Sequence, residues 1–105
     1  MRRLFFCFAL LSVLSCGRTS GQETMTELRD RVFDLAKVQA VYMDSLLPEG
    51  RCPRTFQGDT LVTSDIGWWT SGFYPGVLWQ IYVETQEEPF RDLAIKHTLP
   101  LSGLL

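Results

Sequence analysis

The stretch Trp68-Trp69-Thr70-Ser71-Gly72-Phe73-Tyr74-Pro75-Gly76-Val77-Leu78-Trp79-Gln80-Ile81-Tyr82 places six aromatic side chains in fifteen residues. Pro75 fits a helix only in its first turn, because its ring fixes φ and it has no N–H to donate. The helix is therefore expected to begin near Ser71 to Tyr74 and to run to about Thr85. Apolar residues at 73, 74, 77, 78, 79, 81, 82 and 83 cover every side of it, and Gln80 is the polar exception in its middle. A helix apolar all round predicts burial on all faces.

Upstream, Thr24-Met25-Thr26-Glu27 has the form of a capping box and opens a segment to about Leu47 without Gly or Pro. Its apolar residues fall on two adjacent seams, Leu28/Val32/Leu35/Tyr42/Leu46 and Phe33/Ala36/Ala40/Met43/Leu47. Pro48 disfavours helical geometry at Leu47, and Gly50 permits a sharp turn. From Arg51 to Gly67 the pattern is irregular. Cys52 to Phe56 reads as extended, Gly58-Asp59 as a turn and Thr60 to Thr63 as briefly β-like, which makes a structured loop or a two-stranded ribbon. A short third helix is expected from Pro89 to His97. Two further helices cannot surround an all-round apolar one, so the expectation is an all-α domain of which residues 24–105 supply the N-terminal part.

The chain has 105 residues, 46% hydrophobic and 21% charged, with a formal charge of −2. It is too apolar for intrinsic disorder and offers no basic field for nucleic acid. Met1-Arg2-Arg3 followed by Leu4 to Leu14 reads as a signal peptide, too short to span a bilayer. Val13-Leu14-Ser15-Cys16-Gly17 resembles a bacterial lipobox with Val13 in place of the usual Leu; an ordinary signal peptide cut near Ser20 is the alternative. The organisation expected is residues 1–15 as a lipoprotein signal, Cys16 acylated as the membrane anchor, and residues 16–23 as a flexible tether in the bacterial envelope. Loss of Arg2 and Arg3 leaves 8 basic residues against 12 acidic. Cys7 is then removed and Cys16 acylated, so Cys52 has no disulfide partner. With His97 the only histidine, no metal site and no cofactor is expected.

Pro53-Arg54-Thr55, a short Gly-containing loop, then Trp69 to Trp79 and a helix ending in Tyr82-Val83-Glu84-Thr85 resemble the start of the unsaturated glucuronyl hydrolases, glycoside hydrolase family 88. The similarity spans roughly residues 26 to 97. It implies an α/α toroid of six helical hairpins, several-fold longer than this chain, of which this chain supplies the first helices. It also implies a partner substrate, an oligosaccharide left by a polysaccharide lyase and ending in a C4=C5 unsaturated uronic acid. In the family an Asp acts as general acid on the vinyl ether and then as base toward water, and the hydrated product opens and loses the aglycone. That Asp lies in a later His-Asp-x-Gly-Phe segment, and none occurs between Lys96 and Leu105. No catalytic residue is therefore assigned. A small lipid-anchored sugar-binding module and a structural envelope lipoprotein are the alternatives.

The resemblance places an aromatic side chain of the Trp-Thr-Ser-Gly-Phe turn in the substrate pocket, and Trp69 is the candidate. An indole offers an apolar face to the C–H side of a pyranose and one N–H donor. Trp68 competes, standing where some members have Asp, and core packing would account for either. Arg54 suits a bidentate contact with the uronate carboxylate, though a structural ion pair is the more ordinary role. Among the remaining polar groups, Asp65 is expected to cap a turn and His97 to complement a helix dipole with nothing nearby to orient it. Cys52 should be a buried filler, and Glu84, Glu87 and Glu88 a solvated run. Trp79 and Tyr82 should pack in the core, and Gly72 and Gly76 should allow close backbone packing.

Overall fold

A computed structural model describes residues 21–104. The signal segment, Cys16 and the first part of the tether lie outside them. Helix α1, Met25–Leu46, is followed by strands β1, Cys52–Gln57, and β2, Thr60–Ser64, then helices α2, Phe73–Thr85, and α3, Glu88–Thr98, and a 3-10 turn, Leu99–Leu104.

The expectation of an all-α architecture, and with it the opening of a helical toroid, is corrected. A two-stranded antiparallel sheet separates α1 from α2, and the described chain is a small mixed α/β fold. The reason is local chemistry. Thr55, Phe56, Thr60, Val62 and Thr63 favour a pleated backbone, and Gly58, at φ 58°, takes the left-handed conformation that closes the hairpin. The register pairs Cys52 with Ser64 and Thr55 with Val62, and shifts between Pro53 and Thr55, so Arg54 falls at a bulge.

α1 begins as its sequence requires. The Thr24 hydroxyl accepts from the Glu27 amide at 3.2 Å, and the Glu27 carboxylate accepts from the Thr24 amide at 2.8 Å. Just before it, Glu23 forks onto Arg31 at 2.8 and 2.9 Å, which ties the end of the expected tether to the helix. α2 begins at Phe73, with Pro75 in its first turn, and ends at Gln86 in the left-handed conformation, φ 57°. Gln86 stays there because its amide donates to the Tyr82 carbonyl at 2.7 Å and its side chain to the Val83 carbonyl at 2.8 Å. Pro89 opens α3.

The core is one cluster of Ala40, Tyr74, Leu78, Ile81, Phe90 and Ala94, with Phe33, Ala36, Met43, Leu47, Trp79, Tyr82 and Leu93 packed against it. Trp79 and Tyr82 thus take the packing role expected of them, and the Trp79 indole N–H donates to Thr98 at 2.9 Å. Burial of α2 on all faces is corrected: Leu78 and Ile81 are sealed, whereas Phe73, Val77 and Val83 are more than half exposed. α3 and one seam of α1 cover a single side of it. Gly72 and Gly76 also depart from expectation, since a Cβ at either would meet nothing within 4 Å.

α1 is held to the other helices by polar links as well as by its apolar seam. Arg29 pairs with Glu84, Lys37 with Glu87 at 2.9 Å, and Asp44 receives both Lys96 and His97 at 2.7 Å. Buried Tyr74 adds a hydroxyl donated to the Ala40 carbonyl at 2.8 Å. Glu87 and Glu88 lie exposed, as expected of a solvated run, and Glu84 is half-buried; each also takes part in an ion pair, Glu88 with Arg91 at 2.9 Å. No described helix is long and apolar enough to cross a membrane.

Candidate functional site

The hairpin and the turn leading into α2 bring Arg54, Trp68 and Trp69 to one part of the surface. The turn is built from Asp65, whose carboxylate accepts from the Gly67 amide at 2.9 Å while its carbonyl accepts from the Trp68 amide at 3.3 Å. This is the turn-capping role expected of Asp65. The Trp68 carbonyl then accepts from Ser71 at 2.9 Å, and the Thr70 carbonyl from Phe73 at 3.0 Å, which winds the chain into α2. Consecutive residues on so tight a path project in different directions, and the two indoles separate.

Trp68 lies under Arg54, whose guanidinium carbon is 4.3 Å from the ring centroid. The bulge after Pro53 sets this stacking, since a bulged residue is turned out of the ladder and re-aimed. Arg54 takes part in no ion pair among the described residues, so the structural pair expected for it is replaced by a cation–π contact. Trp69 stands out from the surface, 74% exposed, with its edge against Phe73 at 5.7 Å and 87°. Core packing accounts for neither indole: Trp68 is 37% exposed and Trp69 twice that. Two hydroxyls flanking this turn, Ser64 Oγ and Thr70 Oγ1, are buried without a hydrogen-bond partner among the described residues.

A second polar grouping lies at the C-terminal end of α3. His97 Nε2 is 2.7 Å from Asp44 Oδ1, and its ring packs edge-on against Tyr74 at 4.9 Å. The expectation that nothing orients His97 is thus corrected: it ends α3 as foreseen, but a carboxylate 53 positions away holds its ring. No local sequence signal marks this pairing. Burial raises the Asp44 pKa, but hydrogen bonds and charge from Lys96 and His97 outweigh that and leave it below the ordinary 3.8. The Tyr74 hydroxyl is pushed far up by burial and by the nearby Asp44 charge. Cys52 is buried, as expected of a filler, and burial raises its thiol pKa, so it stays protonated and unreactive at neutral pH.

The arrangement is an aromatic and guanidinium platform beside a β-hairpin. No family model, no curated protein and no solved structure matches the chain.

Proposed function

We propose that the chain provides the sugar-contacting N-terminal part of an exported, lipid-anchored unsaturated glucuronyl hydrolase. The enzyme's substrate is an oligosaccharide ending in an unsaturated uronic acid, and its reaction is hydration of the C4=C5 vinyl ether. What supports this reading is the motif from Trp69 to Trp79 together with one observation: Trp69 presents most of its indole to solvent from a tightly hydrogen-bonded turn. An exposed indole on an ordered turn suits stacking on the C–H face of a sugar ring. Arg54, held over Trp68, supplies an adjacent cation for the uronate carboxylate.

The chain carries no His-Asp-x-Gly-Phe segment. Its own role in this reading is binding, and the proton transfers belong to residues outside it. The test is a fluorescence titration of the full chain in non-ionic detergent with an unsaturated uronate disaccharide from lyase digestion. Saturable quenching that Trp69→Ala abolishes is the expected result. Equal response to the disaccharide in wild type and Trp69→Ala would overturn the reading and favour a structural envelope lipoprotein.

A further inference from the structure

A cleft of about 390 Å³ opens between the turn after α1 and the C-terminal end of α3, within the size range of small-molecule sites. Pro48, Ile66 and Pro100 supply apolar wall, and Arg51, Lys96 and His97 supply donors. None of these residues belongs to the aromatic platform.

Each of the three donors is held by a protein partner. Arg51 Nε donates to the Thr63 hydroxyl and Nη2 to the Thr63 carbonyl, both at 3.1 Å. This carbonyl faces Pro53 across the hairpin, and Pro53 has no N–H to give it. The guanidinium is thereby fixed, with Nη1 unused among the described residues. Lys96 and His97 are both positioned by Asp44 at 2.7 Å.

The decisive feature is charge. Arg51 is half-buried and forms no ion pair among the described residues, whereas Asp44 already neutralises the Lys96 side of the cleft. Glu49 also lines the cleft but is not within ion-pair distance of Arg51. A half-buried guanidinium that lines a cleft and has no ion-pair partner among the described residues lacks its natural counter-charge.

We propose that this cleft is a binding site for a small ring carboxylate, with the carboxylate on Arg51 and the ring face on Pro48, Ile66 and Pro100. A sugar acid and an apolar ring acid share this chemistry. The site stands independently of the platform and of the hydrolase reading.

The experiment is a ¹H–¹⁵N titration of the full chain in non-ionic detergent with sodium D-glucuronate and with sodium cyclohexanecarboxylate. D-glucose and cyclohexylmethanol are the neutral counterparts. Saturable shifts at the amides of residues 49–52 and 96–97 with at least one acid, and not with its neutral counterpart, are expected. Binding by glucuronate alone assigns a sugar acid, and binding by cyclohexanecarboxylate alone an apolar ring acid. Arg51→Gln should weaken binding at least tenfold, while Trp69→Ala should leave it unchanged. The proposal is overturned if neither acid saturates, if a neutral counterpart binds as well as its acid, or if Trp69→Ala removes the binding. Should Arg51→Gln disturb the hairpin, the neutral counterparts on the unaltered chain still decide.

Discussion

Asp44 Oδ1 and His97 Nε2, 2.7 Å apart, join the last turn of α1 to the last turn of α3. Lys96 donates to the same carboxylate oxygen at 2.7 Å. Three side chains at one junction thus help to dock the C-terminal end of α1, beside the apolar contacts of Ala40, Met43 and Leu47.

Asp44→Asn keeps the shape but removes the charge that both donors need. Hydrogen bonds to a charged group contribute about 1.5–3 kcal/mol when sheltered, and the exposure of Lys96 discounts that toward the lower end. Urea unfolding of the full chain should show a loss of about 1–2 kcal/mol, with Ala at position 44 costing at least as much.

The same carboxylate makes stability sensitive to acid. Its folded pKa is depressed below the ordinary value of 3.8, so its contribution is fully present above that value and is lost as pH falls through the folded pKa. The difference in urea midpoint between wild type and Asp44→Asn should shrink steadily as pH falls below about 4. A difference that grows on acidification would contradict the sign of the shift.

Arg54 and Trp68 should behave as a coupled pair and Trp69 as an uncoupled residue. A double-mutant cycle with Arg54→Gln and Trp68→Leu should return a coupling of about 0.5–1 kcal/mol, the size of an exposed cation–π contact. Trp69→Ala, at an exposed position, should move stability by less than about 0.5 kcal/mol. Thermal melts of the four variants measure both.

The two sides of α2 should respond oppositely to substitution. Leu78 is completely enclosed, and Leu78→Ala should cost about 2–5 kcal/mol through lost burial and the cavity it leaves. Val83 is 59% exposed, and Val83→Thr should be silent within about 0.5 kcal/mol. Near-equal effects in denaturant titrations would mean that α2 packs on both sides.

Much of the local structure is legible in the sequence because its causes lie within a few residues. The Thr24 and Glu27 pair marks the start of α1, Pro48 its end and Gly58 the hairpin turn; Pro75 and Pro89 set the first turns of α2 and α3. Arg54 shows where such reading stops. An ion pair was its more ordinary expected role, but the bulge turned it onto Trp68, and one residue of register is not encoded by composition. The six- and five-residue strands were legible as a ribbon at Cys52 to Phe56 and Thr60 to Thr63, but three helical segments set the all-α expectation.

The sequence by itself determined the helices, the N-cap of α1, the turn at Gly58 and the presence of an aromatic turn before α2, since backbone sterics and short-range hydrogen bonds act over a turn or less. Only the tertiary structure decided that α2 buries one face, that His97 meets Asp44, and that Arg51 lines a cleft without a counter-ion among the described residues. A helix apolar on every side carries no periodicity from which to choose its buried face. Pairs 50 residues apart meet only because the packing of α1, α2 and α3 brings their ends together.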